Sequence, residues 1–67
     1  MNESATARLE RWLKTHRRAQ VGIKRHAKGV YVSLVWESRF EIEEQENVAN
    51  TLDAAIHAAL DAAGAER

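Results

Sequence analysis

The sequence contains no cysteine and no proline, and it has only three glycines and four large aromatic residues. Without cysteine, no disulfide can staple the chain and no thiolate can hold zinc, so nothing calls for an oxidising compartment. No apolar run approaches the roughly 18 to 20 residues that a membrane-spanning helix needs. The polar opening residues also lack a signal-peptide pattern, and the expectation is a cytoplasmic protein without a membrane segment. Repeats, low-complexity tracts and linker-like stretches are missing too, which leaves one small domain over residues 1–67. A single core of this size leaves only ~3–5 kcal/mol of net stability, a size at which domains often gain from self-association.

Net charge is absent overall but unevenly spread. Residues 1–29 carry a net +6 and residues 30–67 a net −6. Such asymmetry between halves is a compositional sign of an interaction surface.

What is present is clear periodicity. Ala5, Leu9, Trp12, Leu13 and His16 recur at spacings of three and four, predicting a helix over 4–18 with Ser4 or Thr6 as cap. Arg8, Arg11, Lys14 and Arg18 are expected on its opposite face. From Gln20 the period becomes two. Val21 and Ile23 alternate with polar residues, Ala27-Lys28-Gly29 supplies a turn, and Val30, Val32, Leu34 and Trp36 alternate through a β-rich run. Phe40 and Ile42 continue the alternation against Glu41 and Glu43. A last helix is predicted over 51–63, ended by Gly64. Asn50 and Asp53 suit its cap, although a start at Asn47 would keep Val48 in phase.

Paired residues in an antiparallel ladder share a face, so apolar residues should pair with apolar residues. This predicts Arg25 opposite Val30, Ile23 opposite Val32 and Val21 opposite Leu34. A three-residue loop over 37–39 would set Trp36 opposite Phe40 and Leu34 opposite Ile42. The expected fold class is α+β: α-β-β-β-α, a three-stranded antiparallel meander with both helices packed on one face. Trp12 and Trp36 should both be buried. Gln20, Gly22, Lys24, Ser33, Glu41 and Glu43 should surround Tyr31 and Val35 on the other face, either wet or an interface.

The chemistry-bearing residues are few. His16, His26 and His57 fall on three different elements without ligand spacing, so no metal or cofactor is expected; His16 should edge the core and the other two should be exposed. There is no glycine-rich phosphate loop and no nucleophile elbow. The acidic run Glu41, Glu43, Glu44 and Glu46 has nothing nearby to bury it and reads as solvated surface rather than as an acid–base pair. No small-molecule substrate is evident. The basic residues Arg8, Arg11, Lys14 and Arg18, with Lys24, His26 and Lys28 of the first hairpin, form the candidate interaction surface, of a kind suited to phosphates.

The element order, with both helices on one sheet face, is similar to that of double-stranded-RNA-binding domains. That resemblance implies an RNA surface from the first helix, the first hairpin loop and lysines opening the last helix. The Arg8/Arg11/Lys14/Arg18 face and the His26-Ala27-Lys28-Gly29 loop match the first two loosely. Val48, Ala49, Asn50 and Thr51 carry no lysine, and Glu43, Glu44 and Glu46 precede them. A family of small toxin ribonucleases shares the order and uses a histidine beside a glycine-serine pair, which His26 lacks. The last helix looks like the endings of many short bacterial and phage proteins.

Two functional expectations result. One is a small non-enzymatic interaction module, an accessory protein that binds another protein or itself, as a homodimer. The alternative is a nucleic-acid-binding domain acting through the basic face of the first helix and the first hairpin. A third arrangement, edge-to-edge pairing of two chains, would set Lys24 and Arg25 on one edge against Glu41 and Glu43 on the other.

Overall fold

The computed structural model describes residues 3–39 and 41–64, and its first element is helix α1, Ala5–Thr15. The Ser4 side chain accepts from the Ala7 backbone N–H at 3.1 Å, filling one of the vacant bonds of the first turn. Ala5 and Trp12, two turns apart, are buried, and Leu9 and Leu13 pack beside them. The helix ends at Thr15, short of the predicted Arg18. Thr15 Oγ1 donates to the carbonyls of Arg11 and Trp12 at 3.2 and 3.1 Å, and His16 Nδ1 lies 2.9 Å from the Trp12 carbonyl. The Trp12 carbonyl, which the next helical N–H would need, thus has two side-chain partners, and His16 turns to an extended conformation.

Three strands follow: β1 (Arg17–His26), β2 (Gly29–Glu37) and β3 (Ile42–Ala49), paired antiparallel in the order β1-β2-β3. The first hairpin has the predicted register, with Arg25 opposite Val30, Ile23 opposite Val32 and Val21 opposite Leu34. Pairing continues to His26 and Gly29, leaving Ala27 and Lys28 at the tip. Gly29 has φ 153°, and a Cβ there would stand 2.7 Å from the Ala49 carbonyl oxygen, so glycine is needed for both backbone and space.

The second hairpin differs from the prediction. Ser38 N–H donates to the Glu41 carbonyl at 2.8 Å, Ser38 Oγ donates to the same oxygen at 2.9 Å, and the Glu41 N–H reaches Ser38 Oγ at 3.3 Å. These bonds close the turn over 38–41 and set Glu37 opposite Ile42, Trp36 opposite Glu43 and Leu34 opposite Gln45. Phe40, the expected partner of Trp36, lies outside the described residues. The longer turn reverses the parity of β3. Glu43, Gln45, Asn47 and Ala49 take the helix side, while Ile42, Glu44, Glu46 and Val48 take the other. Gln45 Nε2 donates to Asn47 Oδ1 at 2.8 Å, so the polar residues on the helix side partly satisfy one another at the rim.

Helix α2, Leu52–Ala63, closes the chain, so the fold is α+β with the order α-β-β-β-α. Its cap is Thr51, whose Oγ1 accepts from Ala54 N–H at 3.2 Å, and Asn47 and Val48 belong to β3. Gly64, left-handed at φ 70°, donates to the Asp61 and Leu60 carbonyls and ends the helix. Ala55, Ile56, Ala59 and Leu60 join Ala5, Trp12, Val30, Val32 and Leu34 in one buried cluster on one face of the sheet. Trp12 meets Trp36 edge-on, with centroids 5.5 Å apart at 84°. Trp36, expected to be buried, is only half-buried because its β3 neighbour is Glu43, not an aromatic residue.

Trp12→Ala should cost about 3–5 kcal/mol, enough to consume a small domain's stability. Trp12→Phe should cost clearly less, because Trp12 Nε1 is buried without a hydrogen-bond partner among the described residues and phenylalanine removes that donor. Urea titrations followed by circular dichroism measure both. Gly29→Ala should destabilise by more than about 1 kcal/mol. Gly22→Ala should be milder, since its new Cβ meets only the mobile end of Ser33, Oγ, at 2.8 Å. Thermal melts of the pair check the contrast.

Candidate interaction surfaces

The basic residues of α1 do not form the expected row. Arg8 follows Ala5 by three and precedes Trp12 by four, so it flanks the apolar stripe rather than opposing it. Its guanidinium turns onto α2, donating to Asp61 Oδ1 at 2.8 Å and lying 2.6 Å from His57 Nδ1, and the side chain is only 12% exposed. An arginine can only donate, so in this bond His57 accepts at Nδ1. His57 is thus half-buried, contrary to the exposure expected for it.

Arg11 pairs with Glu3 at 2.6 Å. Lys14 is exposed. Arg18 has left the helix for the start of β1, where it has φ 51° at a break in register between Arg17 and Gln20. A positive φ is uncommon for a residue with a Cβ, and bulges of this kind re-aim side chains at sheet edges. Here Arg17 and Arg18 both turn to Glu37, at 3.6 and 3.5 Å.

The hairpin cations remain together. Arg25, His26 and Lys28 line an open depression of about 380 Å³ that Asn50 also borders. The His26 ring meets Tyr31 at 4.8 Å, nearly edge-on, and Lys24 stands opposite Tyr31. His16 edges the core as expected, stacked on Trp12 at 4.7 Å.

The acidic run is divided. Glu41 belongs to the turn, Glu43 faces the helix side half-buried, and Glu44 and Glu46 are exposed on the uncovered face. Glu43 was expected on that uncovered face and is displaced by the parity of β3. Among the described residues, no group of three or more His, Cys, Asp or Glu side chains gathers where a metal ion could sit. No helix of the described residues is long and apolar enough to cross a membrane.

The site that sequence reasoning missed is the apolar content of the uncovered sheet face. Tyr31 and Val35 were expected there; Ile42 and Val48 join them and are 61% and 50% exposed. A signal was present. With the third strand ended at Glu43, residues 44–50 would form a connection longer than the usual one of about 4–6 residues, and Val48 shares the parity of Ile42 across it. Comparison with protein-family models, curated proteins and solved structures returns no match to this chain.

Arg8→Ala should lower stability by about 1–2 kcal/mol, because a mostly buried guanidinium leaves two partners on α2. Asp61→Ala should cost less than about 1 kcal/mol, its carboxylate being 70% exposed and screened by water. Denaturant titrations of the two variants rank them, and the reverse order would show that the contact to His57 contributes little.

Proposed function

We propose that this chain is a small non-enzymatic interaction module of the cytoplasm that binds protein through the sheet face its helices leave bare. The observation that carries this reading is the exposure of Ile42 and Val48 beside Tyr31 and Val35 on one uncovered face. Each large apolar side chain left in water forgoes ~1.5–3 kcal/mol of burial, and a cluster on one face is a common mark of a binding surface. The separation of His16, His26 and His57, each on or beside a different element, supports a role without catalysis. The involvement of Arg8 with α2 and the departure of Arg18 from α1 count against a phosphate-binding helix face. The Arg25/His26/Lys28 depression is the feature that favours the second reading, nucleic-acid binding.

Photo-reactive residues placed at 42 and 48 in cells should give discrete polypeptide adducts, and one placed at the exposed Glu10 position should not. Adducts at 10 alone, or none at all, would overturn the reading. Labelled duplex RNA and DNA should show no salt-sensitive binding near physiological ionic strength. Micromolar binding abolished by Lys28→Glu with Arg25→Glu would establish the second reading instead.

A further inference from the structure

The charges on the bare face are arranged by strand. Its outward residues on β1 include Gln20, Gly22 and Lys24; those on β3 include Glu44 and Glu46 between Ile42 and Val48. The register sets them in rows: Lys24–Tyr31–Val48, then Gly22–Ser33–Glu46, then Gln20–Val35–Glu44, and last Arg17–Glu37–Ile42, in which Arg17 and Arg18 neutralise Glu37. In the first three rows the β1 edge thus carries one cation, Lys24, the β3 edge carries two carboxylates, Glu44 and Glu46, and Tyr31, Ser33 and Val35 lie between.

We propose, building on the reading above, that the protein on this face is a second copy of the chain, related by a two-fold axis running parallel to the strands. Two sheets stack with their strands within about 30° of each other and about 10 Å apart. A two-fold along the strands lays β1 of each copy over β3 of the other and keeps every row level. Lys24 then lies over Val48 of the second copy and next to its Glu46, Gln20 lies over its Glu44, and the Tyr31 and Val35 side chains of the two copies meet at the centre. Gly22, bare of a side chain, leaves room for the incoming Glu46.

The other in-plane two-fold, perpendicular to the strands, lays β3 over β3. It gathers Glu44 and Glu46 of both copies into one patch without counter-charges, and like charges at an interface cost affinity. Charge therefore selects the first axis. Three strands about 4.8 Å apart make a narrow face, and stacking two of them buries on the order of 1,000 Å² in total, near the lower limit of specific interfaces. Ile42 and Val48 are the exposed large apolar side chains that this contact covers. The dimer is consequently a weak one, forming in the micromolar range.

Sedimentation equilibrium from micromolar to near-millimolar chain tests this. Wild-type mass should rise toward that of two chains, and Lys24→Glu and Glu46→Lys should each weaken association about tenfold or more. An equimolar mixture of the two variants should recover dimer, because each acid then faces a lysine across the axis. Wild-type amide shifts on dilution, which need no variant to fold, should move at Gly22, Ser33 and Glu46. A wild type that dimerises while the mixture stays apart, or shifts confined to the helices, would overturn the proposal. A chain monomeric throughout but cross-linked from positions 42 and 48 to a different protein would overturn it and leave the module reading standing. A monomer with no adduct would remove both.

Discussion

The contact on which the fold depends is the packing of the inner row of β2 against α2. Val30, Val32 and Leu34 alternate with outward residues, and Ala55, Ile56, Ala59 and Leu60 share one stripe of a helix, so each row has one way to bury itself. The alanines allow the helix to lie close to the sheet, and close packing is where dispersion and burial gain most. β1 and β3 gain their place by pairing with β2, and α1 by inserting Trp12 beside Trp36. Among the described residues the fully buried strand side chains all belong to the middle strand, with Ala19 and Val21 of β1 and Ala49 of β3 packed at their margin.

That dependence explains what was legible. The β1–β2 register was readable because Val21 and Ile23 face Leu34 and Val32, and a slip by one would set apolar residues against Gln20 and Lys24. The α2 stripe and the Gly64 stop were readable for similarly local reasons. β3 was not. Its inner row is polar apart from Ala49 and its outer row is apolar only at the two ends, Ile42 and Val48, so alternation marks no continuous buried face, and the side-chain bonds of Ser38 to Glu41 decide the matter. Reversing that parity is what moved Ile42 into water and Glu43 toward the helices. The early end of α1 likewise rests on Thr15 and His16 reaching back to Trp12, a competition between side chain and backbone that helical periodicity does not register.

The candidate surface was legible only in part for a related reason. Counting cations along α1 located them in sequence, but the direction of Arg8 depends on partners in α2 that lie 49 and 53 residues further along the chain. A long side chain at the margin of an apolar stripe can cover its neighbours with its stem and find a partner with its head. The expected α-β-β-β-α order is present, while the helix face that would grip phosphate is partly occupied within the molecule.

The bond from Arg8 to Asp61 has a geometric consequence as well as an energetic one. Arg8 lies three residues inside the start of α1, and Asp61 lies two before the end of α2. At about 1.5 Å of rise per residue, the first and last helical turns stand side by side at one end of the molecule. The path of the backbone thus enters and leaves the fold at neighbouring points, the layout that tolerates insertion into a host loop and circular permutation.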